Sequence, residues 1–207
     1  MTSLFIRYLI FIIILFSFLG CGPEKSNSAP TEKQTAVKER DTTKFNSGLS
    51  IGENLPAIDV TFLTGPDMGK TKCPMCSYGS GQGVFLFWNS KDKENMWALL
   101  KKFDAQIEKQ GLKKLRVFAV YTNPMKENIM QMQEKLFDRA SMEGITNSAI
   151  AFVPPSTPAE EVTAYRLNGD ASIINTIFIY KQRTVIGKFV NYRGSDISPL
   201  LELLKDQ

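Results

Sequence analysis

Gly83-Val84-Phe85-Leu86-Phe87-Trp88 is a continuous apolar run, and an amphipathic segment over residues 92–110 follows it. An apolar run of this length predicts a strand that is covered on both faces of a sheet. The segment after it predicts a helix, because its apolar residues recur at helical spacing, with Asn89 or Ser90 as the cap and Gly111 as the stop. A buried strand that leads into a helix is typical of an α/β fold.

Two of the three cysteines stand just ahead of this strand, in the stretch Cys73-Pro74-Met75-Cys76. The surrounding segment 68–83 has no apolar periodicity and contains several glycines, so it predicts a loop or at most a short helical turn. Residues 77–83 are most simply a flexible loop, whose glycines would also let another protein approach the cysteines. Long loops inside compact domains are uncommon unless they serve a function.

The spacing of Cys73 and Cys76 allows their sulfurs to close a small ring, and the intervening Pro74 restricts the backbone so that the sulfurs stay close. Lys70 and Lys72 bring positive charge within three residues of Cys73, which favours its thiolate. We therefore predict a redox-active pair with Cys73 as the attacking thiol and Cys76 as the resolving thiol. The alternatives are a permanent disulfide that staples the loop, or two inert thiols.

The alternation of strands and helices continues along the chain. Further strands are predicted over residues 58–63, 115–121, 149–153, 173–180 and 185–190. A helix that opens at Asn123-Pro124 is expected to bury Ile129, Met130, Leu136, Phe137 and Ala140. The capping box Thr157-Pro158-Ala159-Glu160 predicts a short helix through Tyr165. A last helix is predicted near the C-terminus, with its inward face formed by Ile197, Leu200, Leu201 and Leu204. The turn at 181–183 implies an antiparallel hairpin, so we predict a mixed central sheet flanked by helices, with a C-terminal hairpin plus helix.

The N-terminus predicts export. Arg7 is followed by an apolar stretch that is too short for a comfortable transmembrane helix and ends at Gly20-Cys21. This order resembles the signal peptides of bacterial lipoproteins, which implies a signal over residues 1–20 and a lipid on Cys21. An uncleaved signal anchor, or an ordinary signal peptide with an incidental Cys21, is the alternative. We expect the folded part to be membrane-anchored in the cell envelope, outside the cytoplasm, where a disulfide persists.

The region between the signal and the fold predicts a solvated tether. Residues 21–50 are rich in Ser, Thr, Lys and Glu, and they have almost no large apolar side chain before Phe45. Residues 51–207 are then expected to form one domain. The chain has 207 residues and 43% apolar content, and the part after residue 50 is long enough for a single hydrophobic core.

Composition excludes several function classes. The net charge of +4 is spread along the chain without a run of five like charges, so no nucleic-acid partner is expected. The chain has no histidine, which removes the commonest general base and the commonest zinc or copper ligand. A closed zinc site needs four ligands and the cysteine pair supplies two. We expect no metal and no other cofactor; Cu(I) on the two thiolates with Met68 or Met75 is the alternative.

Residues 51–205 resemble the thioredoxin fold, and within it the redoxin domains of peroxiredoxins and thiol-specific antioxidants. The resemblance is carried by Leu55-Pro56-Ala57-Ile58 as an opening strand, Phe85-Leu86-Phe87-Trp88 before the first helix, Val117-Phe118-Ala119-Val120, and Asn175-Thr176-Ile177-Phe178-Ile179-Tyr180 before the final hairpin. Residues 64–79, with their Cys-x-x-Cys, also resemble a subset of redoxins that carry such a pair ahead of this strand. The resemblance implies disulfide exchange with a protein partner and supports an attacking role for the first cysteine.

The chain departs from the redoxin pattern where that family carries its chemistry. After Trp88 the sequence is Asn89-Ser90-Lys91-Asp92-Lys93, with no thiol at the helix start. The cis-proline of the family falls at Asn175, where we expect a trans bond because a cis bond without proline costs about 3 to 4 kcal/mol. Since no peroxidatic cysteine with supporting Thr and Arg is recognisable, peroxidase activity is not expected. The leading hypothesis is a tethered thiol–disulfide exchange protein, and the alternative is a non-catalytic binding module on the same fold.

Overall fold

The computed structural model describes residues 46–89, 91, 93–122, 128–170 and 172–205, with a seven-stranded sheet at the centre of the fold. The strands are β1 Val60–Phe62, β2 Thr71–Lys72, β3 Gln82–Trp88, β4 Arg116–Tyr121, β5 Ala149–Phe152, β6 Asn175–Lys181 and β7 Thr184–Val190, in the order β2-β1-β5-β4-β3-β6-β7. The helices are α1 Pro74–Tyr78, α2 Lys93–Gln110, α3 Ile129–Glu143, α4 Ala159–Ala164 and α5 Ser198–Leu201, which continues as a 3₁₀ turn over Glu202–Leu204.

Several sequence predictions lie outside the described residues. These are the signal over residues 1–20, Cys21, most of the tether, Ser90, Asp92 and the helix opening at Asn123-Pro124. No helix among the described residues combines the length and the apolar character needed to cross a membrane.

Strand β3 lies inside the sheet, between β4 and β6. It pairs in parallel with β4 and antiparallel with β6, and every residue from Gly83 to Trp88 is buried. Strands β6 and β7 form the antiparallel hairpin at the C-terminal side. The prediction of a mixed sheet with a buried central strand and a C-terminal hairpin is confirmed.

The sheet has an apolar cluster on each face. Because successive parallel crossovers keep the same hand and β5, β4 and β3 are neighbours, α2 and α3 cover the same face, where α5 joins them. The other face is covered by Met75 of α1, by Tyr165 after α4, and by Leu55 and Ile58 of the segment that leads into β1. This second face carries the phenylalanines of β3, β4 and β6.

The inward face of α3 differs from the prediction. Met130 is 78% exposed and Phe137 is 43% exposed, whereas Met132, Leu136 and Ala140 are buried. The buried residues recur every four positions and form a narrow stripe, so the helix is rotated relative to the wider stripe that the sequence indicated. Methionine at a helix surface gives a weak signal, since it is apolar yet tolerates exposure.

Three local predictions near β1 are also corrected. The segment Leu55-Pro56-Ala57-Ile58 is not a strand; the strand begins at Val60. The short strand β2 was not predicted, because two residues carry no periodicity. The capping box before α4 is wrong: Pro158 occupies the N-cap without a side-chain hydrogen bond, and the Thr157 hydroxyl donates to the Asp59 carbonyl at 2.8 Å.

Candidate functional site

Cys73 and Cys76 are joined by a disulfide on the short helix α1. Cys73 is the N-cap of this helix, and Pro74 follows at the first helical position, where its missing N–H costs nothing. The Cα atoms are 5.2 Å apart, and the Cys76 backbone N–H donates to Cys73 Sγ at 2.9 Å. Residues 74–78 thus form the short helical turn that the sequence allowed, and we call the disulfide with this turn the sulfur site.

The two cysteines differ in exposure. Cys76 is exposed, whereas Cys73 is half-buried and packs against the apolar cluster of the second sheet face. The sequence assigned the attack to Cys73 because of nearby lysine charge, and it contained no signal for exposure. The sulfur site is open to solvent mainly through Cys76.

Met75 anchors the sulfur site to the core. Its side chain is 1% exposed, and its carbonyl accepts hydrogen bonds from the Gly79 N–H at 3.0 Å and from Arg183 Nε at 3.2 Å. A Cβ on Gly79 would lie 2.4 Å from the Met75 carbonyl oxygen and 2.6 Å from Arg183 Cγ, so a larger residue does not fit. The prediction of a flexible loop over residues 77–83 is therefore wrong: these residues end α1, turn tightly and enter β3.

Asp67, Lys70, Lys72 and Tyr78 form an ionic cluster beside α1. The Tyr78 hydroxyl donates to Asp67 Oδ2 at 2.6 Å and accepts from Lys72 Nζ at 2.9 Å. Lys72 Nζ also lies 2.9 Å from Asp67 Oδ2, and Lys70 Nζ lies 3.3 Å from Oδ1. Both lysines that were expected to act on Cys73 therefore bind a carboxylate that is 6% exposed.

The ionic cluster shifts the pKa of both its acid and its base. Burial acts to raise the pKa of Asp67, but hydrogen bonds from Tyr78, Lys72 and Lys70 outweigh burial and hold it below the ordinary value. Burial acts to lower the pKa of Lys72, but the hydrogen bonds with Tyr78 and Asp67 raise it overall. Both groups stay charged at neutral pH, so the cluster is a fixed support for α1.

The ring of Tyr78 ties α1 to the central sheet. It stacks on Phe118 of β4, with the two ring centroids 5.9 Å apart. The Arg116 guanidinium lies 3.8 Å from the Tyr78 ring centroid, within the range of a cation–π contact. Sequence reasoning missed Asp67, Tyr78, Arg116 and Arg183. Asp67 was assigned only to a turn, and no local pattern indicates that Tyr78 meets residues of β4.

The position where the redoxin resemblance expects a thiol lies at the carboxyl end of β3. A cavity of about 460 Å³ opens there, lined by Trp88, Asn89, Asn175 and residues of the 167–174 segment. We call it the carboxyl-end cavity. The Asn89 side-chain amide donates to the Ile173 carbonyl at 2.8 Å. Among the residues that line this cavity in the described part of the chain, none is a cysteine.

Asn175 supports the backbone next to this cavity. Its side-chain amide donates to the Tyr192 carbonyl at 2.9 Å, and its Oδ1 accepts from the Tyr192 N–H at 2.9 Å. The described residues contain no cis peptide bond, so the bond before Asn175 is trans as expected. Asn175 pairs with Trp88 across β3 and β6.

The sulfur site and the carboxyl-end cavity lie at opposite ends of β3. Gln82 begins the strand close behind α1, and Trp88 ends it at the cavity. The seven residues of the strand between them span about 20 Å at the usual rise. The structure therefore brings Lys70 and Lys72 close to the cysteine pair, and it does not bring Asn175 there.

The described residues offer few metal ligands at the sulfur site. Nowhere in that part of the chain do three or more Cys, Asp or Glu side chains come together. Met75, which was considered as a thioether ligand, is buried in the apolar cluster under α1. Met68, the other thioether considered with the two sulfurs, is exposed.

Comparison with solved structures shows what the fold resembles. The thioredoxin domain of a thiol-disulfide oxidoreductase from Bacteroides vulgatus is similar with a TM-score of 0.52 and 16% identity, over 74% of this chain and 96% of that one. A thiol:disulfide interchange protein of the thioredoxin family from Chlorobium tepidum is similar with a TM-score of 0.54 and 13% identity, over 76% and 97%. A yeast mitochondrial 1-Cys peroxiredoxin is similar with a TM-score of 0.54 and 11% identity, over 75% of each chain.

The sequence matches no protein-family model and no curated protein. Identities as low as those of the solved structures establish the fold and not the activity, because one fold carries many functions. The fold is thioredoxin-like, as the sequence predicted.

Proposed function

We propose that the protein is a thiol–disulfide exchange protein in which Cys73 and Cys76 react with the thiols or disulfides of a partner protein. The observation that carries this proposal is a solvent-open disulfide on a helix that Met75 and Tyr78 fix to the sheet. A disulfide that is exposed on a rigid support can be attacked without unfolding the domain. Two of the similar solved structures are named as thiol–disulfide exchange proteins, which is consistent with this use of the fold.

The exposure of Cys76 and the partial burial of Cys73 support Cys76 as the sulfur that reacts first. A partner thiolate attacks Cys76 Sγ, a bond forms between the partner sulfur and Cys76, and the Cys73–Cys76 bond breaks with its electron pair on Cys73. The Cys73 thiolate then accepts the Cys76 N–H bond, which is present at 2.9 Å in the disulfide form. A hydrogen bond to the departing sulfur stabilises the negative charge that forms on it. This order reverses the roles predicted from the sequence.

The same geometry serves the opposite direction. In the reduced protein, the Cys76 thiolate attacks a partner disulfide and releases one partner thiolate. The Cys73 thiolate then attacks Cys76 Sγ, which restores the Cys73–Cys76 disulfide and releases the second partner thiolate. Both electrons lost by the cysteine pair are gained by the partner disulfide.

The order is tested with the single variants Cys73→Ser and Cys76→Ser, both in a Cys21→Ser background so that only one thiol reacts. We expect Cys73→Ser, which keeps Cys76, to form a mixed disulfide with glutathione disulfide several-fold faster than Cys76→Ser does, as measured by intact mass against time. Faster reaction of Cys76→Ser would contradict the order of steps. No reaction of either variant would contradict exchange itself.

A second candidate function is a non-catalytic binding module with a structural disulfide. The carboxyl-end cavity of about 460 Å³ favours it, because a cavity of this size is in the range of ligand sites and carries no thiol. The two functions differ in one respect: binding at the cavity persists when Cys73 and Cys76 are both replaced by Ser, whereas exchange is lost.

For location, we propose that a lipid on Cys21 anchors the protein to a membrane of the cell envelope, with the domain outside the cytoplasm. The proposal is supported by the order of Arg7, the apolar stretch and Gly20-Cys21 in the sequence. Cys21→Ser should release the protein from the membrane fraction and abolish incorporation of labelled palmitate. Retention of both in the variant would contradict lipidation at this residue.

A further inference from the structure

Cationic side chains from three separate segments contact the helix that carries the sulfur site. Lys72 Nζ of β2 lies 4.5 Å from the Tyr78 ring centroid, and Arg116 Cζ of β4 lies 3.8 Å from it. Arg183, in the turn between β6 and β7, donates from Nε to the Met75 carbonyl at 3.2 Å. These contacts place three cationic side chains against α1, the helix that carries Cys76.

The sheet topology explains why the charges meet. Strands β3 and β4 are parallel, so Arg116 at the start of β4 pairs with Gly83 at the start of β3. Strand β6 is antiparallel to β3, and its last residue Lys181 pairs with Gln82. The turn that leads into β4, with the exposed Lys113 and Lys114, therefore lies at the same end of the sheet.

Among the described residues, only one of the three cations that contact α1, Lys72, is paired with a carboxylate. Asp67 is that carboxylate, and it is buried and bound to Lys70 and Lys72. Within the described part of the chain, neither Arg116 nor Arg183 forms an ion pair. Arg183 is exposed, and Arg116 is half-buried with its guanidinium over the Tyr78 ring.

We propose that Lys113, Lys114, Arg116 and Arg183 form a cationic surface that selects partners with carboxylates next to the reacting sulfur. The inference rests on the proposed exchange function, since it names the class of partner that the exposed Cys76 meets. Arginine binds carboxylates through paired hydrogen bonds, and like charges close to the surface repel. A cationic surface also raises the rate of encounter with an anionic partner, and added salt weakens this effect.

The test uses three disulfides that differ in charge: glutathione disulfide, which is anionic, bis(2-hydroxyethyl) disulfide, which is neutral, and cystamine, which is cationic. The reduced full chain in a Cys21→Ser background reacts with each, and rates are expressed relative to the neutral compound. The same rates are measured for Lys113→Glu/Lys114→Glu. A matched control is Lys102→Glu/Lys135→Glu, which changes charge equally at exposed positions on α2 and α3.

We expect Lys113→Glu/Lys114→Glu to lower the relative rate with glutathione disulfide about three- to tenfold and to raise that with cystamine, while the rate with the neutral compound is kept. For the unsubstituted protein, raising the salt concentration should reduce the difference between its reaction rates with glutathione disulfide and with cystamine. Lys102→Glu/Lys135→Glu should leave the selectivity unchanged.

Unchanged selectivity in Lys113→Glu/Lys114→Glu would overturn the cationic surface while leaving exchange intact. Equal loss with all three disulfides would also overturn it, because the effect would then not depend on partner charge. If Lys113→Glu/Lys114→Glu loses binding to phosphatidylglycerol vesicles but keeps its selectivity among the three disulfides, the surface would be assigned to a membrane instead. Failure of the unsubstituted protein to react with any of the three would contradict the proposed exchange function itself.

Discussion

The two ends of strand β3 differ in what they can do. The amino end carries the sulfur site. The buried Met75, the ionic cluster and the nearby cations all contact its helix α1. The carboxyl end, where the redoxin resemblance expects catalytic thiols, carries a cavity lined by Asn89 and Asn175. A thioredoxin-like sheet can thus keep its architecture while its cysteine pair stands at the opposite end.

The two ends of β3 should differ most in what their substitutions do to disulfide exchange. Replacing both Cys73 and Cys76 by Ser should reduce catalysed reduction of insulin disulfides by dithiothreitol to the uncatalysed rate, because no exchanging sulfur pair remains. Asn168→Ala, at the carboxyl-end cavity, should keep the activity. Both variants are measured in the Cys21→Ser background. Activity that survives the double substitution would contradict the proposed role of the two cysteines, because the chain then holds no thiol, and activity lost in Asn168→Ala would show that the carboxyl end also takes part.

The next effect compares the apolar anchors of the two ends. Met75→Ala removes a side chain that is 1% exposed, so it should lower the free energy of unfolding by about 3 kcal/mol. Leu167→Ala, at the carboxyl-end cavity, removes a half-buried side chain and should cost about 1 kcal/mol. Urea unfolding of the two variants measures the difference. Equal losses would show that Met75 does not anchor the sulfur site to the core as proposed.

A glycine at each end gives a third comparison. A Cβ on Gly83 would lie 2.1 Å from the Arg116 carbonyl oxygen, so Gly83→Ala must push β3 and β4 apart and should cost about 2 kcal/mol of unfolding free energy. Gly169→Ala meets nothing within 4 Å and should be tolerated. Thermal unfolding of both variants checks the contrast. A tolerated Gly83→Ala would mean that the two strands have room to separate at the amino end.

The smallest effect concerns pH. The pKa of Asp67 is lower in the folded than in the unfolded chain, so its contribution to stability is present above its ordinary value of 3.8 and is lost as pH falls through the folded pKa. Asp67→Asn should cost about 1.5 kcal/mol at pH 7 and little at the acid end of this window. Asp170→Asn, at the exposed carboxyl-end segment, should have a smaller effect. Denaturant unfolding at a series of pH values measures both, and a constant cost of Asp67→Asn across the window would contradict the ionic cluster.

The sequence was sufficient for the elements that are long and regularly patterned. The run at 83–88, the helix after it and the C-terminal hairpin all carry strong periodicity, and each lies where it was predicted. The pairing of Asn175 with Trp88, away from the cysteines, was not predicted. The displaced position of the cysteine pair was also visible from the order of residues alone.

The support of the sulfur site could not be predicted. Tyr78 meets Phe118 and Arg116 only because the sheet brings the starts of β3 and β4 together, and no local pattern encodes such a contact. The relative exposure of Cys73 and Cys76 depends in the same way on tertiary packing. Charge counted along the sequence gave the lysines to Cys73, whereas in three dimensions Asp67 binds them.

The central claim is that the Cys73–Cys76 disulfide can open and close under physiological conditions. The most direct test is its reduction potential, measured by equilibration of the Cys21→Ser protein with glutathione buffers and read by intact mass. A value between about −270 and −120 mV, the range of thiol–disulfide exchange proteins, is the predicted result. A value well below about −300 mV, the range of structural disulfides, would contradict the claim.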